Sequence, residues 1–173
     1  MKALTAELPY PGLEGIQESS ESVCIIAPAY AGRGSEMTAT LQYVYQSIIF
    51  SGLKMQEISD TLLSIAIAEM EHLELLGKMI LKMGAKPIYS ERPPVPSRFY
   101  TTSYVGYSVQ PQKMIADDIR GETEAIEGYT CMAEKLKDEQ AAAIISRIIL
   151  DEKVHLAQLK KIYKELVEGC TQD

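Results

Sequence analysis

Glu69 and His72 lie three residues apart, and Glu152 and His155 repeat that spacing near the far end of the chain. The sequence has two histidines, and each follows a glutamate at the same interval. On a helix, residues i and i+3 share a face, so each pair points a carboxylate and an imidazole the same way. Both pairs interrupt apolar stripes, where unpartnered polar groups are costly to bury. A divalent cation is the partner that takes carboxylate and neutral imidazole together. With Glu36 and Glu122 added, the candidate ligands are Glu36, Glu69, His72, Glu122, Glu152 and His155. Four carboxylates at one place repel and would protonate if left alone. Two divalent ions bring about four positive charges and neutralise them. Oxygen-rich ligation with one nitrogen per metal suits iron or manganese, whereas structural zinc takes thiolate or more imidazole. The expected cofactor is therefore two manganese or two iron ions. The plainer alternative, glutamates on solvated faces and histidines satisfied in the core, leaves the apolar stripes running through them unexplained.

Four long helices must position these residues. The spacing predicts helices over 36–51, 55–83 and 112–136, and a fourth from the turn Lys137-Asp-Glu-Gln140 to Gly169. The second carries the stripe Ile58, Leu62, Ile65, Glu69, His72, Leu76, Met79 and Met83, with gaps of three and four. In the third, Glu122 shares its stripe with Ile115, Ile119, Ile126 and Tyr129, and Glu124 and Glu127 fall outside it. A shorter helix over 17–31 is expected to be disturbed by Pro28, and Ser35 is a natural cap for the first long helix. Residues 1–15, with Pro9, Pro11, Gly12 and Gly15, read as an irregular arm.

Heights can be counted from the turns. Glu36 is 16 residues before Gly52 and Glu69 is 17 after it; Glu122 is 16 before Asp138 and Glu152 is 14 after it. In antiparallel pairs the four glutamates meet within about one helical turn. Residues 85–111 carry Pro87, Pro93, Pro94, Pro96 and Pro111, with Tyr100, Tyr104 and Tyr107, and cannot be one helix. If the second and third long helices run parallel, this segment must travel back along a helix of about 40 Å, which needs at least about 12 extended residues. The expected fold is a single all-α domain, residues 1–173: an antiparallel four-helix bundle with one long crossover between helices two and three, the ferritin-like topology. Tyr43 and Tyr129 each lie seven residues after a ligand glutamate, two turns along the same face. Their hydroxyls can hold ligand carboxylates or a bound oxygen species. Arg120 and Asp118 read as a solvated ion pair.

Charge and composition narrow the partners. A formal net charge of −7 argues against nucleic acid and anionic membrane. No apolar run reaches the roughly 18 residues of a span, and the first residues lack a signal-peptide core, so a cytoplasmic protein is expected. Cys24, Cys131 and Cys170 form no C-x-x-C pair and read as three reduced thiols.

Over residues 16–168 the sequence resembles the ferritin-like superfamily, first the manganese catalases and their short spore-coat relatives, then the rubrerythrins. The carriers are Gly34-Ser-Glu-Met-Thr-Ala-Thr-Leu-Gln-Tyr43-Val-Tyr-Gln-Ser47, which looks like the first-ligand helix of a manganese catalase, Glu69-Met-Glu-His-Leu-Glu-Leu-Leu-Gly77, and Glu122 with Tyr129. The catalase resemblance implies Glu36, Glu69, His72, Glu122 and His155 as ligands and Glu152 as a catalytic proton handler, with Tyr43 and Tyr129 beside them. The rubrerythrin resemblance implies that Glu152 is itself a ligand. Two departures stand out: manganese catalases have an arginine where this chain has Gly121, and the extra glutamate of rubrerythrins is Ile119 here. The implied activity is oxidoreduction of hydrogen peroxide by dismutation. The alternatives are a di-iron reductase of peroxide or oxygen served by an external electron-donor protein, and an iron-binding or structural ferritin-like protein. A homo-oligomer is expected, with the tyrosine-rich stretch 97–107 able to cover a partner subunit.

Overall fold

The computed structural model describes residues 2–91 and 99–169. Among them the chain forms five α-helices: α1 (Ser20–Ala31), α2 (Glu36–Gly52), α3 (Gln56–Lys82), α4 (Pro111–Lys135) and α5 (Glu139–Gly169). Among the described residues no strand forms, and Ser90 and Phe99 make an isolated bridge within the crossover. The fold is an all-α, ferritin-like bundle of α2 to α5, with α1 packed on one end.

Two apolar cores hold the bundle, one on each side of the polar layer. One joins Tyr43 and Phe50 of α2, Leu62 and Ile65 of α3, Met114 and Ile115 of α4, and Leu159 and Ile162 of α5. The other joins Val23, Ile26 and Tyr30 of α1 to Leu76, Met79 and Ile80 of α3, Met132 of α4, and Ile144, Ile145 and Ile148 of α5. The start of α3 therefore packs with the start of α4, and the end of α3 with the end of α4. The two helices run parallel, so the segment after α3 must return the length of the bundle. Each fully buried Leu, Ile or Met contributes roughly 1.5–3 kcal/mol, enough to hold a polar layer between the two cores.

Local chemistry sets the ends. Ser35 accepts the amide of Thr38 at 3.3 Å and caps α2, and Asp138 accepts the amide of Ala141 at 2.9 Å at the start of α5. Gly84, with φ of +88°, stops α3. The α2–α3 turn differs from expectation. Gly52 is still helical, and the left-handed position is Lys54, with φ of 62°. Helix α1 also runs through Pro28 to Ala31. The helical donor missing at Pro28 would serve the carbonyl of Cys24, an exposed residue that water can reach. Gly77 in α3 allows close approach, since a Cβ there would sit 3.2 Å from the ring of Tyr30.

The crossover folds over its own bundle. The Gly106 amide donates to Gln42 at 2.9 Å, Thr38 bonds Tyr100 at 3.4 Å, and Arg33 lies over the Tyr104 ring. Thr102–Tyr104 form a 3-10 turn. Pro93, Pro94 and Pro96 lie outside the described residues, as do the start of the tyrosine-rich stretch and Cys170. Cys24 and Cys131 are free and exposed. Among the described residues, no helix is long and apolar enough to cross a membrane.

Candidate metal centre

The structure brings all six candidate residues into one buried layer. Glu36 enters from the first turn of α2, Glu69 and His72 from the middle of α3, Glu122 from α4, and Glu152 and His155 from α5. None is more than 4% exposed. Their donor atoms form two groups, each within 4.8 Å: Glu36, Glu69, His72 and Glu152, and Glu69, Glu122, Glu152 and His155. Glu69 and Glu152 belong to both.

The imidazoles are oriented alike. Nδ1 of His72 faces inward, 3.1 Å from Glu69, 3.3 Å from Glu152 and 3.6 Å from Glu36. Nδ1 of His155 faces inward too, 3.2 Å from Glu69, 3.3 Å from Glu152 and 3.8 Å from Glu122. Glu69 turns Oε2 to His72 and Oε1 to His155. Glu152 turns Oε1 to His72 and Oε2 to His155. Both shared glutamates thus span the 6.0 Å between the two rings.

Tyr43 and Tyr129 are buried beside the layer, and their pairing crosses between helices. Tyr43 donates to Glu122, and Tyr129 donates to Glu36. Each tyrosine of α2 or α4 therefore restrains the glutamate of the other helix. Burial and the facing carboxylate, Glu122 for Tyr43 and Glu36 for Tyr129, push both phenols well up, so they stay protonated donors.

Electrostatics divide the carboxylates into two kinds. Burial first, then the neighbouring carboxylates, raise Glu36 and Glu122 well above the usual range. Burial also disfavours ionised Glu69 and Glu152, but the two imidazoles reverse this and hold both below the usual range. Burial would lower the histidines; the carboxylates around them, Glu36 for His72 and Glu69 for His155, raise both well up. These directions favour negative charge on Glu69 and Glu152 and positive charge on the two imidazoles, and disfavour charge on Glu36 and Glu122. Glu152 Oε1 makes no hydrogen bond among the described residues although it is fully buried. Six oxygen and nitrogen donors, an unsatisfied carboxylate oxygen and two shared glutamates fit a pair of divalent ions better than a set of internal hydrogen bonds.

Sequence reasoning missed the outer supports. Nε2 of His72 meets Asp151 Oδ2 at 3.2 Å. Asp151 also accepts from Arg147 Nη1 at 2.6 Å, from the Ala6 amide at 2.6 Å and from Tyr10. These bonds, with His72 first among them, offset burial and hold its carboxyl at about 2. Nε2 of His155 meets the carbonyl of Leu4 at 2.8 Å. A signal for Asp151 existed: it lies three residues after Ile148 and four after Arg147, on the buried side of α5.

The expected Asp118–Arg120 pair does not form. Arg120, 68% exposed, pairs with Asp117 at 2.9 Å, its neighbour at i−3. Asp118 is buried and accepts from Gln42 at 2.8 Å and Gln46 at 2.9 Å. A cavity of about 840 Å³ runs from Arg33, Glu91 and Asp117 at the surface to Glu36, Glu69, Glu122 and Glu152. Gly121 lines it, with open space where a Cβ would be.

The ferritin-like domain family matches residues 33–167. The chain belongs to that family. Its fold is similar to that of KatB, a manganese catalase from Anabaena, with a TM-score of 0.81 at 21% identity, covering 93% of this chain and 79% of that one. It is also similar to the bacterioferritin of Rhodobacter capsulatus (TM-score 0.72, 18% identity, 88% of this chain and 89% of that one). A bacterioferritin of Desulfovibrio desulfuricans with a diiron site is similar at a TM-score of 0.68 and 24% identity, covering 86% of this chain and 81% of that one. Identities this low establish the fold alone. No curated protein matches the chain by sequence.

Proposed function

We propose that the layer holds two manganese or two iron ions and that the protein is an oxidoreductase acting on hydrogen peroxide. The observation that carries this reading is the pair of four-residue groups sharing Glu69 and Glu152. Glu36 and His72 would complete one position, and Glu122 and His155 the other. When bound, the two metals supply a two-electron store that peroxide can both fill and empty, so that two peroxides give two waters and one dioxygen.

The protein's own residues do the rest. The cavity delivers peroxide to the layer between α2 and α4, and its inner wall includes Tyr43 and Tyr129. Their hydroxyls hold Glu122 and Glu36 in place. Glu152 is the proposed proton carrier. Its Oε1, 3.3 Å from Nδ1 of His72 and without a well-formed hydrogen bond among the described residues, can take a proton from one peroxide oxygen and return it to the departing water.

The symmetric placement of Glu152 between the two histidines favours a second reading. A glutamate shared equally could itself be a ligand, and a centre with all four glutamates bound would suit reduction of peroxide or oxygen at di-iron, with electrons from a separate protein. Likeness to bacterioferritins keeps iron binding without turnover as a third reading. Protein loaded with manganese and, separately, with iron should be mixed with peroxide in an oxygen electrode. One dioxygen per two peroxides supports dismutation. Peroxide loss only when a reductant is supplied supports the second reading. No peroxide loss under either condition defeats both.

A further inference from the structure

The two histidines are fixed by different parts of the chain. His72 is held by Asp151, whose carboxylate Arg147 grips within the same helix. The residue before Glu69 is Ala68, so α3 offers His155 no equivalent carboxylate. The partner of His155 Nε2 is instead the main-chain carbonyl of Leu4, at 2.8 Å. A carbonyl only accepts, so it holds Nε2 as N–H, and Nδ1, which faces Glu69, Glu122 and Glu152, is the nitrogen left to exchange its proton for a metal. Leu4 is itself anchored: its amide donates to the Ser64 carbonyl of α3 at 3.1 Å, and its side chain packs against the core below the layer. Arg147 fastens the arm further along, donating to the carbonyls of Ala6 at 2.9 Å and Leu8 at 2.7 Å.

We propose that the N-terminal arm is a detachable part of the metal centre, and that the position at His155 is complete only while the arm is docked. The inference rests on the reading that the layer holds two ions. The position at His72 rests on Asp151 of α5, which Arg147 holds and which the arm braces only from Ala6 and Tyr10. Loss of residues 2–5 therefore strips support from His155 alone; the two positions are unequal, and the one at His155 fills second. Coupling is reciprocal: an ion at His155 must tighten the docking of the arm by the factor that docking tightens the ion.

The test is a titration with manganese(II), counting bound ions by loss of the free-ion paramagnetic resonance signal. The full chain is compared with a variant lacking residues 2–5, which keeps Ala6, Leu8 and Tyr10. The full chain should bind two ions. The variant should keep one at nearly unchanged affinity and hold the other roughly 10–100-fold more weakly. Two unchanged affinities in the variant, or equal weakening of both with the helical signal intact, would overturn the proposal. Fewer than two ions on the full chain would overturn the dinuclear reading and the proposal with it. Should the variant not fold, amide exchange in the intact chain decides. The Leu4 amide should slow at least about tenfold on the second equivalent of metal, and a rate indifferent to that equivalent would sink the idea.

Discussion

Asp118 sits at 2% exposure with Oδ1 taking two glutamine amides and Oδ2 unsatisfied. Burial pushes its carboxyl up to about 7, against the partial relief of Gln46 and Gln42. The sign follows from which state binds the proton. Between about pH 4 and pH 7 the unfolded carboxyl has lost its proton and the folded one has kept it, so stability falls as pH rises through that window. Below pH 4 both states are protonated and the residue is neutral to stability. The variant Asp118→Asn should remove this dependence. Urea unfolding of metal-free protein should show the variant gaining on the wild type as pH rises from 4 to 7, by up to about 4 kcal/mol at pH 8. A difference independent of pH would show that Asp118 is already ionised at neutral pH. At this scale the sequence exposed Glu69, His72, Glu122, Glu152 and His155 as candidates because each broke an apolar stripe, and Glu36 by its height counted from the turn. It hid Asp118, whose distance from Arg120 suggested a solvated pair, because i and i+2 face away from each other and Asp117 at i−3 takes the arginine. It also hid the support of His155, because a backbone carbonyl leaves no mark on a side-chain pattern.

Helix α2 begins with Glu36, one of the proposed ligands, so its cap is part of the candidate site. Ser35 accepts the Thr38 amide, and Glu36 stands in the first turn, where the helix dipole favours a negative charge. Replacing Ser35 by Ala should lower the stability of the metal-free protein by about 1 kcal/mol, and Ser35→Asp should restore most of it. Equal stability of all three in chemical denaturation would mean that Ser35 does not cap. The longer elements were legible because α3 and α5 carry strict three-and-four spacing, and counting from the turns gave the heights of the glutamates. Turn chemistry was less legible. Gly52 looked like the helix stop, yet the left-handed residue is Lys54, since the turn closes two residues later, where the Lys54 amide reaches back to Ser51. The arm has no periodicity at all, so its docking on α5 through Asp151 and Arg147 could be seen only in three dimensions.

For the whole molecule, two properties follow from how the bundle distributes apolar and charged groups. The outer face of α2 exposes Leu41, Val44 and Ile48, the last at 64%. One face with three aliphatic side chains at helical spacing supports a homo-oligomer built through α2. Light scattering should give more than one copy for the wild type and a smaller species for Ile48→Glu; a monomeric wild type at micromolar concentration would remove this face from consideration. The second property is charge. The upward shifts favour a metal-free layer that is neutral, with two protons on Glu36 and Glu122 and two more on the imidazoles of His72 and His155. A layer holding two divalent ions is neutral with all four glutamates ionised and both histidines neutral. Passing from one to the other therefore releases two plus two, about four protons for two metals. Affinity must then rise with pH, because each proton lost from the layer is one the metal need not displace. Calorimetric titration in buffers of different ionisation enthalpy reads the number directly. A release near four supports a layer that trades protons for metal at constant charge. A release near zero would mean that the metal-free layer is already deprotonated and that four buried carboxylates are held ionised by something other than their histidines.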